Sequence, residues 1–132
     1  MPWRGTCDAP YRPSVSTPAR QLTDRLKRSL TSALRDRDRE SAAVLRTLLA
    51  AVEHAGAVPL GQVAADAGEV ARREPGVEEL DALLAAELDE RIRAAEQYRS
   101  LGQEAAAERM DREASTIGAW LPVVSVLAES AE

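Results

Sequence analysis

The sequence predicts an all-α protein made of two antiparallel helical hairpins, with about four main helices and a disordered amino-terminal extension. Three observations lead to this fold class. The 132 residues include 25 Ala and 15 Leu, which favour helices, but no Phe and only 3% aromatic residues. The 45% of hydrophobic residues suffice for one domain with one modest core. Apolar residues also recur at helical spacing in four segments that are separated by glycine, proline or charged runs.

The amino-terminal segment, residues 1–20, is predicted to be a disordered extension. It contains four of the seven prolines, Pro2, Pro10, Pro13 and Pro18, and almost no periodic apolar pattern.

Residues 21–56 are predicted to form the first helical hairpin. The apolar residues of its first helix fall within about 120° of helical arc, and they are Leu22, Leu26, Leu30, Ala33 and Leu34. The charged run 35–40 interrupts this face, and Ser41 is a candidate N-cap for the second helix. The second apolar face consists of Val44, Leu45, Leu48, Leu49 and Val52. Because the connection is short, we expect the two helices to be antiparallel, and Gly56 and Pro59 should end the second.

Residues 57–76 are predicted to be a linker, with at most a short helix around 63–67, and residues 77–122 to form the second hairpin. Its long helix should run from Val77 to about Ser100, and Gly102 suits the left-handed position after a helix end. The next helix should run from Gln103 to Trp120 and stop before Pro122. Its apolar face consists of Ala106, Met110, Ile117 and Trp120. Residues 123–132 remain as a carboxy-terminal tail that either frays or folds back.

Four polar residues of the second hairpin lie on the faces that should be buried: Glu87, Arg91, Tyr98 and Glu113. Arg91 lies eleven residues before Gly102 and Glu113 eleven residues after it, so a straight antiparallel hairpin places them opposite each other. We predict an Arg91–Glu113 ion pair, supported by Glu87 one helical turn before Arg91. Two interpretations remain open. The cluster is either a polar clasp that fixes the register of the two helices or a binding or catalytic site.

Charge is distributed unevenly along the chain. Residues 1–46 hold ten basic and five acidic side chains, a net charge of +5, whereas residues 47–132 have a net charge of −10. The candidate nucleic-acid-binding residues are Arg25, Lys27, Arg28, Arg35, Arg37, Arg39 and Arg46. Carboxylates interleave with them, so a solvated, salt-bridged surface is the alternative interpretation.

The sequence lacks the usual marks of an independent enzyme. There is one histidine, His54, with no nucleophile near it in the sequence, one cysteine, Cys7, and no glycine-rich phosphate-binding motif. We therefore predict no catalytic residues, no cofactor and no metal site. No run of 18 apolar residues and no signal peptide is present, which predicts a cytoplasmic protein without membrane contacts.

Two segments resemble the GatB/YqeY family, in particular its YqeY-like proteins. In residues 22–55 the family's helix end, break and second helix entry are matched by Ala33-Leu34-Arg35, Arg37-Asp38 and Leu45-Arg46. In residues 87–122 the family's series of Glu, Arg, Tyr, Gly, Glu and Tyr-Leu-Pro is matched at unchanged spacing by Glu87, Arg91, Tyr98, Gly102, Glu113 and Trp120-Leu121-Pro122. Trp120 stands in the place of the tyrosine. The resemblance covers about 100 of the 132 residues.

The resemblance implies an all-helical domain related to the carboxy-terminal part of the GatB subunit of the glutamine-dependent tRNA amidotransferase. In that subunit the related region is an accessory that contacts tRNA and carries out no chemistry. Carbon-nitrogen ligase activity with glutamine as amido-N-donor is attached to the family, and it reaches this chain by association only. The implied partners are tRNA or an amidotransferase subunit.

The chain differs from the family pattern after Pro122, where YqeY-like proteins continue into a second, smaller helical domain and only ten residues follow here. It therefore resembles a short form of the family. The functional hypothesis is a non-catalytic helical module associated with tRNA or the amidotransferase. The alternative is a helical protein-interaction or regulatory module without an RNA role.

Overall fold

The computed structural model describes residues 17–56 and 74–130, which form five α-helices and no strand. This confirms the predicted all-α class. Most of the predicted amino-terminal extension and linker, including the short helix expected around 63–67, lies outside the described residues.

Helix α1 spans Pro18–Arg35, so it begins three residues earlier than the predicted hairpin. The Thr17 side chain caps it by accepting a hydrogen bond from the backbone N–H of Arg20 (3.2 Å), and Pro18 occupies the first turn, where a missing N–H costs little. The face that carries Leu22 and Leu26 is buried as expected. Leu34, at the end of the predicted face, is instead 50% exposed.

Helix α2 spans Arg39–Ala55 and packs antiparallel to α1. Its N-cap is Asp38 and not the predicted Ser41, because the Asp38 carboxylate accepts the backbone N–H of Ser41 (3.1 Å). The charged run therefore supplies the cap itself, and the connection shortens to residues 36–38. Gly56 follows the last helical residue as the C-cap.

Helix α3 spans Val77–Ser100, as predicted, and α4 spans Glu104–Gly118. The two helices pack closely along their length. Gly102 has a φ of 74°, the left-handed conformation expected of it. Helix α4 ends four residues before Pro122, so the proline does not terminate it.

A fifth helix, α5, spans Leu121–Ser130 and replaces the predicted tail. Pro122 lies in its first turn, a position that tolerates proline. The helix folds back onto α3 and α1, and Val124 and Leu127 are buried there. Of the two outcomes left open by the sequence, the tail folds back.

One core joins the two hairpins. It is formed largely by leucines from three helices and by residues of α4 and α5, and its most buried large side chains are Leu22, Leu26, Leu48, Leu80, Leu84, Ile117 and Leu127. Trp120 packs against this core and is partly exposed. The second hairpin and α5 thus hold the first hairpin in place, which fixes the positions of its exposed basic residues.

Candidate functional site

The polar cluster between α3 and α4 contains the predicted ion pair. The Arg91 Nε donates to Glu113 Oε1 at 3.0 Å, and its Nη1 donates to Glu87 Oε1 at 3.0 Å. The side chains of Arg91 and Glu113 are only 14% and 12% exposed. The prediction of a partly buried, paired cluster is therefore confirmed, and we call Glu87, Arg91 and Glu113 the clasp.

Electrostatics favour the charged form of the arginine in the clasp. Burial lowers the pKa of Arg91, but hydrogen bonds and charge attraction from Glu113 and Glu87 outweigh burial and raise its pKa. The Arg109 Nε also lies 3.4 Å from Glu113 Oε2, so the Glu113 carboxylate pairs with two cations. No polar side-chain atom buried among the described residues lacks a hydrogen-bond partner. The charged groups of the cluster are paired with one another, as expected of a structural clasp.

Four other residues of the family-like series in the second hairpin do not join the clasp. They are Tyr98, Gly102, Trp120 and Pro122. Tyr98 is half-buried further along α3, and Gly102 forms the turn between α3 and α4. Trp120 and Pro122 lie at the junction of α4 and α5, where Trp120 packs against the core. Gly102 therefore belongs to the turn of the second hairpin, and Trp120 and Pro122 belong to the connection from that hairpin to α5.

The structure divides the seven predicted basic residues among three places. Arg25, Arg28 and Arg35 lie within about 80° of helical arc on the exposed side of α1, and we call them the outer stripe. Lys27 lines a separate depression between the start of α1, the end of α2 and Glu74. Arg37, Arg39 and Arg46 line one groove where α1 meets α2.

This groove, which we call the arginine groove, has a volume of about 500 Å³. The small residues Ala33 and Ala42 line it from the two helices, and the half-exposed Leu34 adds an apolar wall. Its remaining lining residue is Asp38. The groove thus combines three exposed cations, a limited apolar surface and one carboxylate.

Two of the three carboxylates in the charged run 35–40, Asp38 and Glu40, have partners outside the groove. Asp38 caps α2 through the Ser41 N–H, and hydrogen bonds from Ser41 hold the pKa of Asp38 below its usual value. Glu40 accepts two hydrogen bonds from Arg112 of α4, each 3.0 Å, and Arg112 lowers the pKa of Glu40. Within the described residues, Arg37, Arg39 and Arg46 form no salt bridge. Among the described residues the groove therefore lacks the salt bridges that the alternative interpretation expects.

Arg37 adopts a backbone conformation that usually belongs to glycine. Its φ is 58°, the one positive value among the described non-glycine residues. The Asp38 N–H bonds to the Ala33 carbonyl (2.8 Å) and the Arg37 N–H to the Leu34 carbonyl (3.2 Å), which together form a Schellman motif. An arginine in this strained position is a candidate for a functional role.

Sequence reasoning missed three features of this site: the wall formed by Leu34, the bridge between Glu40 and Arg112, and the cap formed by Asp38. The residues of the bridge lie 72 positions apart, so no local pattern signals it. The cap could have been found, because Asp38 lies three residues before Ser41 in a spacing typical of N-caps.

The described residues contain no group of three His, Cys, Asp or Glu side chains that could hold a metal ion. None of their helices has both the length and the apolar character needed to cross a membrane. Comparison of the chain with known protein families, curated proteins and solved structures found no match.

Proposed function

We propose that this protein is a non-catalytic helical module of the GatB/YqeY type that binds tRNA through the arginine groove. The proposal joins two lines of support. Recognition of phosphate is supported by the groove, and the choice of tRNA is supported by the sequence resemblance. The alternative partner, an acidic protein segment, becomes an outcome of the test.

The observation that carries the proposal is the engagement of Asp38 and Glu40. In the sequence these carboxylates alternate with Arg37 and Arg39 and would neutralise them. In the folded chain Asp38 accepts a backbone N–H and Glu40 binds Arg112, and Asp36 is the C-cap residue of α1. None of the three forms a salt bridge with a groove arginine among the described residues, so the N–H donors of the guanidinium groups remain open to a ligand. Guanidinium groups bind phosphate oxygens through paired hydrogen bonds, and they retain their charge at any physiological pH.

The second hairpin holds the longer of the two segments on which the family resemblance rests. The matched residues Glu87, Arg91 and Glu113 are in mutual contact, and Gly102 takes the left-handed conformation that its place in the series requires. Contacts of this kind give a physical reason for the fixed spacing of the series. The clasp then serves the fold, and ligand binding belongs to the first hairpin.

Binding to total tRNA at two salt concentrations tests the proposal. Neutralisation of two to three phosphate charges predicts a loss of affinity of about 7- to 40-fold between about 50 and 200 mM salt. The groove variant Arg37→Gln/Arg39→Gln/Arg46→Gln should lose most of the affinity and most of this salt dependence. All three side chains are exposed, so the variant should keep its helical circular dichroism spectrum.

The matched control changes the outer stripe, Arg25→Gln/Arg28→Gln/Arg35→Gln, which removes the same charge from the same hairpin. It should retain most of the tRNA affinity. Equal losses in the two variants would show a diffuse electrostatic attraction, and equal binding to heparin and tRNA would lead to the same conclusion. Absence of tRNA binding at both salt concentrations would overturn the proposal in favour of a protein partner.

A further inference from the structure

We infer that the arginine groove takes a terminal phosphate of an RNA strand, that is, a phosphomonoester at the end of the chain. The inference deepens the proposed function and rests on it. It names the part of the RNA that the groove selects, and it follows from how the cations are placed.

The first step is the contrast between the groove and the outer stripe. The outer stripe spreads Arg25, Arg28 and Arg35 over about three turns of α1, or about 15 Å along the helix axis, so its cations do not share one site. The groove instead gathers three arginines around one concave volume, two from α2 and one from the turn before it. Several cations around one cavity suit a single group of high charge.

The second step is the charge of the ligand. An internal phosphodiester carries one negative charge and two free oxygens, whereas a phosphomonoester carries about −1.5 to −2 at pH 7 and offers three acceptor oxygens. The three arginines and the ionised Asp38 give the described lining a net charge of +2, which matches the monoester, and three guanidinium groups are available for its three acceptor oxygens. The carboxylate among the described lining residues, Asp38, also accepts the Ser41 N–H.

The third step is the space around the cations. The groove is open and its volume of about 500 Å³ leaves room for the sugar that carries the phosphate. Leu34 and the methyl groups of Ala33 and Ala42 offer this sugar an apolar surface. An internal phosphate is joined to a nucleotide on each side, so both nucleotides would have to fit in or near the groove. A terminal phosphate is joined to one nucleotide only.

The fourth step is the conformation of Arg37. Its left-handed backbone ends α1 and turns the chain into α2, so this residue lies between the two helices that form the groove. Glycine would fit this position without strain. An arginine here adds a cation to the lining of the groove, and the strain it brings is consistent with a binding role.

The test compares three RNA oligonucleotides of one sequence, with a 5′-phosphate, with a 3′-phosphate, or with hydroxyl groups at both ends. One or both phosphorylated forms should bind about tenfold more tightly than the unphosphorylated form, measured by fluorescence anisotropy at constant salt. The two phosphorylated forms show which end is selected. The preference should vanish in the groove variant and persist in the outer-stripe variant.

A single change, Arg46→Gln, supplies a second variant in the exposed middle of α2 and should reduce the preference without removing all binding. Equal affinity for the three oligonucleotides, with binding still lost in the groove variant, would overturn the terminal-phosphate inference and leave the proposed function standing. A preference that survives in both groove variants would also overturn it. Failure of every RNA to bind would overturn the inference and the proposed function together.

Discussion

Arg37 and Gly102 occupy equivalent positions in the two turns that connect helices within the hairpins. Each has a positive φ, 58° and 74°, and each is followed by a residue whose N–H bonds to the carbonyl five positions earlier. The two turns therefore share one hydrogen-bonding pattern. The turn between α3 and α4 has glycine in the left-handed position, whereas the turn between α1 and α2 has arginine there. A left-handed conformation costs a non-glycine residue about 1 to 2 kcal/mol.

Opposite exchanges at these two residues should change stability in opposite directions. Arg37→Gly relieves the strain but adds freedom to the unfolded chain, so we expect stability unchanged or raised by up to about 1 kcal/mol. Gly102→Ala introduces the strain, and since no atom lies within 4 Å of the added Cβ, the loss of about 1 to 2 kcal/mol should come from the backbone alone. Urea unfolding followed by circular dichroism measures both changes.

The same Arg37→Gly protein separates stability from function. If Arg37 is retained for binding, the variant should lose affinity for tRNA while its unfolding midpoint stays equal or rises. A variant that is clearly less stable than the parent would show that the arginine side chain supports the fold, and the functional interpretation of its strained backbone would then be wrong.

At the scale of elements, the clasp sets the register of α3 against α4. Replacing Arg91 by Met keeps the length of the side chain but leaves Glu87 and Glu113 partly buried without their shared cation. We expect a loss of about 1 to 3 kcal/mol in the free energy of unfolding. After this change the exposed Arg109 is the remaining cation of Glu113. Removing the charge of Glu113 as well, in Arg91→Met/Glu113→Gln, should therefore restore part of the loss.

Arg93→Met is the matched control on the same helix. Arg93 pairs with Asp89 one turn away at 3.1 Å, but its side chain is 70% exposed, so its loss should change stability by no more than about 0.5 kcal/mol. Equal stability of the Arg91 and Arg93 variants, with tRNA binding lost only in the former, would contradict the structural interpretation and make the clasp a binding site.

The elements differ in how far the sequence predicts them. Helix α3 and the Arg91–Glu113 pair follow from periodicity and from the position of Gly102, because local rules govern both. Helix α5 does not follow from such rules, because a proline is compatible with two structures. Pro122 can mark the end of the helix before it, or it can lie in the first turn of the next helix. What decides between them is the burial of Val124 and Leu127 against α3 and α1, which are distant in the sequence.

At the scale of the whole molecule, the candidate site depends on contacts between the hairpins that the sequence does not reveal. In the sequence, Arg37, Arg39 and Arg46 belong to one basic segment together with Lys27 and the outer stripe. The fold separates this segment into three places. The charges of the groove also depend on Arg112 of α4, which binds Glu40 of α2 from the other hairpin. Tertiary contacts therefore determine which of the interleaved carboxylates oppose the arginines.

Acid should weaken the first hairpin and its attachment to the second together. The pKa values of Asp38 and Glu40 are lowered in the folded chain, by hydrogen bonds from Ser41 and from Arg112. A lowered folded-state pKa contributes stability that is complete above the unfolded-state pKa, near 3.8 for Asp and 4.5 for Glu, and is lost as the pH falls through the folded-state value. The urea midpoint should therefore be flat from about pH 7 to 5 and fall below about pH 4.5.

The double variant Asp38→Asn/Glu40→Gln identifies the source of this fall. Asparagine still caps a helix and glutamine still accepts a hydrogen bond from Arg112, but neither titrates, so the fall below about pH 4.5 should become shallower while the midpoint at pH 7 changes little. An unchanged pH profile would contradict this prediction and assign the acid sensitivity to other groups. A shallower profile would show that the residues which leave the groove arginines free for a ligand also hold the cap of α2 and the contact between the hairpins.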